Sequence, residues 1–339
     1  MRQRPQTAPL GAVLVTGATG QVGRRLVASL LASGHPVRIL TRSPAAAARL
    51  WPHEPVSLHL GDVTMPETLK ELGADVQTVF HLASYAPRPD EPDLYNAPEH
   101  WRVTADGTAN LLAALAPATI ERLVYISTVK AMGEQAGTHG YPARADTPPA
   151  PDCLYGRAKL AAEQQVLAFG HAHGIKASVM RLPMVYGIDG AGNLTRLVAA
   201  IAAGRFPPWP PLENARSAVH VEDVIAAARL LAQHPASGGQ TYLVTDGASY
   251  STRWMYEQIR LALGRPLPRW SVPLWALRGA AVAGTLAERW LGRRMPLTQE
   301  TLAKLTGNAW YDASALTALG FVPQYGLARE IERLALSYS

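Results

Sequence analysis

The sequence predicts an α/β fold, a doubly wound parallel sheet joined to a smaller, mostly helical C-terminal lobe. Three observations carry that expectation. Short β-branched runs alternate with longer segments of three- and four-residue apolar spacing through the first half of the chain. The runs have no polar face, as strands covered by helices on both sides require. Beyond Tyr186 the alternation gives way to the Pro-rich stretch 206–211 and then to helical spacing from Ser251 onward. The 339 residues, 48% hydrophobic and 17% charged, suffice for one large core and an appended lobe.

In chain order the predicted strands are 12–16, 37–41, 56–60, 76–82, 122–127 and 176–182, with 241–245 returning to the same sheet. The clearest helices between them are 22–32, 105–115 and 154–170, and the alanine run 45–48 also reads as helix. The expected organisation is a flexible tail at 1–9, a nucleotide-binding domain at 10–185 completed by 222–247, and a substrate lobe formed by 186–221 and 248–337.

The first strand runs into Gly17-Ala-Thr19-Gly20-Gln21-Val22-Gly23 and then a helix. In such a turn Gly17 permits the tight bend, Gly20 lets a pyrophosphate approach backbone N–H groups, and Gly23 allows close helix–strand packing. This is a Rossmann-type dinucleotide site. At the end of the second strand, where an acidic residue would take the ribose hydroxyls of NAD, stands Arg42, whose fork suits a 2′-phosphate. NADP(H) is therefore favoured over NAD(H). Asp62, followed by Val63, is placed to meet the adenine amino group, and Leu82, Ala83 and Ser84 at the fourth strand's end leave room for ribose.

Tyr155 and Lys159 lie four residues apart, on one face of a helix. A phenol near pKa 10 is a poor acid–base at neutral pH, and a neighbouring ammonium is expected to lower it. Ser127 and Thr128 end a strand at the lip of the sheet, where ligands of open α/β folds bind.

Taken in order, Thr16–Gly23, Asp62-Val63, His81–Ala83, Ser127-Thr128, Tyr155/Lys159 and 181–187 resemble the extended short-chain dehydrogenase/reductase family, in its NAD-dependent epimerase/dehydratase branch. The resemblance covers nearly the whole chain. It implies that Tyr155 is the general acid–base, that Lys159 holds the nicotinamide ribose, that Thr128 is the hydroxyl partner with Ser127 beside it, and that Pro183 and Tyr186 line the nicotinamide side. Thr104 departs from the pattern, standing where relatives carry an asparagine that supports the tyrosine-bearing helix.

Further along, Asn193 and the segment 216–223 resemble UDP-sugar 4-epimerases and 4-ketoreductases, in which the corresponding asparagine and arginine contact the diphosphate or base. The expected reaction is hydride transfer at C4 of a nucleoside-diphosphate sugar, with Asn193 and Arg216 binding substrate and Asp223 capping a helix. One alternative resembles 3β-hydroxysteroid dehydrogenases and dihydroflavonol reductases, with Trp209, Trp254, Trp270, Trp275 and Trp290 around an apolar alcohol. Another is a non-catalytic NADP-binding protein, which would not need Tyr155, Lys159 and Thr128 together.

Composition excludes other classes. The single Cys153 forms no internal disulfide and belongs to no metal cluster, so no metal and a cytoplasmic location are expected. The net charge of +6 is spread among dispersed arginines, which argues against nucleic acid. The first residues lack the apolar run of a signal peptide. Arg278, Glu288 and Arg289 interrupt the apolar stretch 272–291 and rule it out as a span, while 273–291 remains a candidate interfacial helix. A homodimer is the expected assembly.

Overall fold

The computed structural model describes residues 9–87, 93–116, 118–134, 136–138, 140–187, 192–291, 293 and 295–338. The chain opens with β1 (Val13–Thr16), α1 (Gln21–Ala32), β2 (Val37–Thr41), α2 (Pro44–Leu50), β3 (Val56–Leu60) and β4 (Thr78–His81). A π-helical turn at Trp101–Asp106 leads into α3 (Gly107–Leu115), followed by β5 (Arg122–Thr128), α4 (Leu154–His173) and β6 (Lys176–Leu182). Then come β7 (Met184–Tyr186), α5 (Asn193–Ala202), β8 (Arg216–His220), α6 (Val221–Gln233), β9 (Gln240–Leu243) and β10 (Ser249–Tyr250). The described residues continue with α7 (Thr252–Ala262), α8 (Leu274–Leu291), α9 (Gln299–Thr306), α10 (Ser314–Ala318) and α11 (Leu327–Ala335), followed by a 3-10 turn at Leu336–Tyr338.

Seven strands form one parallel sheet in the order β3-β2-β1-β4-β5-β6-β9. Strand alternation sorts its side chains into two cores. Val13 and Val15 join Leu26 and Leu30 of α1 and Val224 and Leu231 of α6 on one face. Leu14 joins Leu111 and Leu115 of α3 and Ala162 and Val166 of α4 on the other. The order reverses between β1 and β4, which opens a crevice beyond the carboxyl ends of those strands.

The expectation that every strand is buried on both faces fails at β3. It pairs only with β2, and Leu58 and Leu60 remain 47% and 61% exposed. A second sheet, β10-β8-β7, was not foreseen, because its strands are two to five residues long and carry too few periods to read. Behind it a third core gathers Tyr186, Trp209, Ala218, Tyr256, Ile259, Leu277, Leu327 and Ile331.

The helix that carries Tyr155 and Lys159 is well delimited. The Cys153 sulfur accepts the Gly156 N–H at its start, and Gly174, at φ +67°, ends it in the left-handed region that glycine tolerates.

Candidate active site

The glycine turn meets the exit of β4 almost backbone to backbone. Gly17 lies at φ +65°, and a Cβ on it would stand 2.7 Å from the Leu82 carbonyl carbon. A Cβ on Gly23 would stand 2.2 Å from the Gly17 oxygen, so both positions demand glycine. Gly20 is the N-cap of α1, which has neither a side-chain cap nor an acidic residue in its first turn. Its N–H groups and dipole are thus left to an anionic ligand. Thr19 and Gly20 are exposed at the tip, and Val22 packs on the core behind it. At the head of the helix the Gln21 Oε1 is buried with no hydrogen-bond partner among the described residues.

A buried polar chain braces this turn. Burial and the nearby Lys159 charge hold His81 down at about 3, so its ring is neutral. The Thr108 hydroxyl donates to the Thr104 carbonyl at 2.5 Å and therefore accepts from the His81 Nε2–H at 2.9 Å. His81 Nδ1 then accepts the Thr16 hydroxyl at 2.6 Å, and the Thr16 oxygen accepts the N–H groups of Leu82 and Ala83, each at 3.2 Å. One set of proton positions satisfies the chain, with the His81 proton on Nε2. The sequence reading missed it, because Thr108 meets His81 only through the packing of α3. Thr104 also departs from expectation: its hydroxyl meets Ser84 at 3.0 Å, beside the β4 exit.

At the other end of the crevice Arg42, with its side chain 75% exposed, faces Asp62 at 3.6 Å. Burial pushes the Asp62 carboxyl up, but hydrogen bonds from the Thr64 N–H and hydroxyl, together with Arg42, outweigh it and the net shift is downward. One Asp62 oxygen is thus taken up by Thr64, at 2.8 and 2.9 Å. Val63 is buried against Gly107 of α3.

The Tyr155 phenol is buried beside Thr128, whose hydroxyl opposes the upward shift that burial gives it. The expected lowering of that phenol by Lys159 does not occur. Burial pushes Tyr155 up to about 12, against the opposing effect of Thr128, and Lys159 is turned to other partners. Its Nζ donates to the Ile126 carbonyl at 2.8 Å and lies 4.8 Å from the centre of the Tyr125 ring. Burial brings Lys159 itself down to about 7, partly offset by Glu163.

Ser127 points the opposite way from Thr128, as neighbours on a strand do, and donates to Glu163 instead of facing the crevice. Glu163 also receives Arg181 at 2.7 Å, in an ion pair with both side chains at most 5% exposed. That pair ties α4 to β6 directly below Lys159. Two further residues flank Tyr155 and were not singled out from the sequence. The Tyr95 carbonyl accepts the Tyr155 N–H at 2.8 Å, and the buried His100 ring lies 5.0 Å from the phenol ring with its Nδ1 unpartnered among the described residues. The only sequence signal was an aromatic and a histidine in the connection after β4.

Around β7 and β8 the side chains singled out in the sequence have partners within the protein or stand exposed. Arg216 donates to the Lys304 and Gly307 carbonyls at the end of α9, the latter at 3.1 Å, and is half-buried in doing so. Tyr186, expected beside the nicotinamide, instead donates to Asp246 at 2.9 Å and the Tyr325 carbonyl at 3.1 Å within the third core. Pro183 is half-buried between β6 and β7. Asn193 is the exposed first residue of α5, next to residues outside the described set. His220, not Asp223, caps α6; Asp223 accepts the Gln324 and Tyr325 N–H groups at 2.8 and 3.1 Å. Trp209 is core, while Trp270, Trp275 and Trp290 stand on the surface, 65%, 76% and 89% exposed.

The profile of the NAD dependent epimerase/dehydratase family matches residues 13–245. The chain belongs to that family. It is 28% identical over 269 residues to a UDP-glucose 4-epimerase of Vibrio cholerae, covering 78% of this chain and 80% of that one. To a 3-beta-hydroxysteroid dehydrogenase of Mycolicibacterium neoaurum it is 29% identical over 329 residues, covering 93% and 88%. The crystal structure of a UDP-glucose 4-epimerase of Thermus thermophilus in complex with NAD shares the fold, with a TM-score of 0.70 and 24% identity over 96% of this chain and 98% of that one.

As a member of this epimerase/dehydratase family the protein is an NAD(P)-dependent enzyme of the extended short-chain dehydrogenase/reductase type. Its residues fit a dinucleotide. The uncapped N-terminus of α1 and the glycine-only contacts at Gly17 and Gly23 leave room and backbone donors for a pyrophosphate. No helix among the described residues is long and apolar enough to cross a membrane.

Proposed function

We propose that this enzyme transfers a hydride at a secondary alcohol or ketone carbon carried by a bulky, apolar molecule, working chiefly as a reductase. The carrying observation is the Tyr155 phenol, buried beside Thr128 at the carboxyl end of β5. Tyr155 is protonated at neutral pH, as a phenol is, and stands where it can donate to a carbonyl oxygen at the lip of the sheet. Thr128 orients the phenol and shares the oxygen. Gly17, Thr19, Gly20, Gln21, Val22 and Gly23 would hold the pyrophosphate, Leu82, Ala83 and Ser84 the adjoining ribose, and Lys159 and Pro183 the nicotinamide end. When bound, the nicotinamide supplies the hydride.

The exposed Arg42 supports NADP(H) as the favoured cofactor, with Asp62 next to it at the adenosine end. Net consumption of the reduced cofactor, not its regeneration, accords with NADP(H) as the favoured cofactor.

The apolar substrate is favoured over a nucleotide sugar because Arg216, the arginine expected at a diphosphate, is anchored through its Nη1 to the Lys304 and Gly307 carbonyls at the end of α9. The 3-beta-hydroxysteroid dehydrogenase likeness over 93% of the chain supports the same reading. A nucleoside-diphosphate sugar is the second reading, favoured by the Vibrio cholerae epimerase and by the exposed Asn193.

The test is turnover of NADPH with a bulky apolar ketone, alongside thermal stabilisation by UDP, dTDP and GDP at saturating cofactor. We expect turnover that falls roughly a hundredfold or more in Tyr155→Phe, with cofactor binding retained, and no stabilisation by the nucleotides. UDP stabilisation that Arg216→Ala abolishes would reverse the substrate assignment.

A further inference from the structure

In α8, Leu277 and Ala281 are the residues buried in the third core, while Trp275, Val282, Leu286 and Trp290 are 76%, 43%, 51% and 89% exposed. At about 100° per residue these four fall within about 80° of one another, so they form a single apolar ridge. The small residues Gly279 and Ala283, also exposed, fill the gaps along it. Arg278 and Arg289, both exposed, lie together along one flank.

The charge along α8 and the connection after it is mostly positive: residues 274–299 contain four arginines and one acidic residue, Glu288, and the exposed Glu300 at the start of α9 is paired with Lys304. Glu288 sits on the inward side, where its carboxylate accepts the Met295 N–H at 3.0 Å. An apolar ridge with a tryptophan near each end matches a membrane interface, where the ring is buried and the indole N–H meets headgroups. The arginine flank adds attraction to anionic lipid phosphates. A second copy placed ridge to ridge would bring the arginine flanks together with no carboxylate to answer them.

We infer that α8 docks in the plane of an anionic lipid bilayer, with Trp275, Val282, Leu286 and Trp290 entering the interface and Arg278 and Arg289 meeting its phosphates. The helix lies on the surface and does not span it. Docking also sets the active-site mouth near the bilayer, because α9 packs on α8 and its Lys304 Nζ lies 4.5 Å from the ring centre of Tyr95, the neighbour of Tyr155.

The experiment is co-sedimentation of the full chain at low salt with vesicles of equal parts phosphatidylglycerol and phosphatidylcholine, and with phosphatidylcholine alone. We expect binding to the anionic vesicles that weakens with salt and falls roughly tenfold or more in Trp275→Gln/Trp290→Gln and in Arg278→Glu/Arg289→Glu. All the altered side chains are exposed, so melting temperature and stabilisation by cofactor should be kept; Trp290→Gln alone serves if a double variant does not fold. Absence of binding at low salt, or unchanged binding in the tryptophan variants, would overturn the inference. So would a dimer that the tryptophan variants dissociate while vesicles bind nothing, since the ridge would then be a subunit contact.

Discussion

The crevice over β1, β4 and β5 and the region around β8 and α9 use polar side chains in opposite ways. In the crevice, α1 begins uncapped and Gln21 keeps a buried oxygen without a partner among the described residues. Around β8 the polar groups are tied to distant backbone: Arg216 to Lys304 and Gly307, Asn214 to Leu305 and Gly307, Asp223 to the N–H groups of Gln324 and Tyr325. The difference follows from how each region is built. Consecutive β-α units bring the strand ends of the crevice together, braced beneath by the Thr16–His81–Thr108 chain and the Glu163–Arg181 pair, which leaves the start of α1 for a ligand. The C-terminal region joins segments some ninety to a hundred residues apart, and its helix ends need donors and acceptors to close it.

Two large effects test whether the crevice rests on its own buried struts. Arg181→Met would leave the Glu163 carboxylate buried and paired only with Ser127, and should cost about 3–5 kcal/mol in urea unfolding. A cost near that of an exposed pair would mean that α4 is held by packing alone. Lys159 gives a pH signature of comparable size. Below about 7 it is charged in both folded and unfolded protein, so its burial penalty stands in full. Between about 7 and 10.5 the folded form has lost a proton that the unfolded chain keeps, so stability rises with pH. The wild type should therefore gain on Lys159→Met across that window, by a few kcal/mol on the order expected for a buried amine. A pH-independent difference in cofactor-free melting would show that Lys159 is not desolvated.

The crevice was legible in the sequence to the extent that backbone geometry dictated residue type. Gly17 and Gly23 are positions where a Cβ meets backbone at under 3 Å, and Tyr155 and Lys159 share a face by helical spacing. The direction Lys159 takes was not legible, since it depends on the Ile126 carbonyl and Tyr125 ring that β5 places beneath α4. Nor was the partner of Arg216, 88 residues away on a helix end. Ser127 shows the limit well: adjacent to Thr128, it faces the other side of the sheet once the strand's register is known.

Arg216→Ala probes the contrasting region and should have a smaller effect. Removing the donor from the Lys304 and Gly307 carbonyls should cost about 1.5–3 kcal/mol of stability, as loss of a charge-assisted hydrogen bond does. Apparent affinity for cofactor should stay unchanged in calorimetry. Stabilisation by UDP that the substitution removes, without loss of stability, would make Arg216 a substrate ligand after all and dissolve the contrast between the two regions.

The smallest expected effect lies at Arg42, and it sharpens the comparison by asking how much an exposed crevice residue contributes. Its guanidinium is 75% exposed and 3.6 Å from Asp62, so water and salt screen both that pair and any contact with a 2′-phosphate. A charge-assisted fork on phosphate would still favour NADP(H), by about 1–1.5 kcal/mol or roughly tenfold in affinity. Arg42→Ala should erase that preference, added salt should shrink it, and Asp62→Asn should enlarge it by releasing the arginine from its competing carboxylate. Calorimetry with NADPH and NADH on the three proteins measures each effect. Equal affinities in the unaltered enzyme would leave Arg42 as a solvated strand-end residue and remove NADP(H) as the favoured cofactor, without touching the Tyr155 chemistry on which the reaction assignment rests.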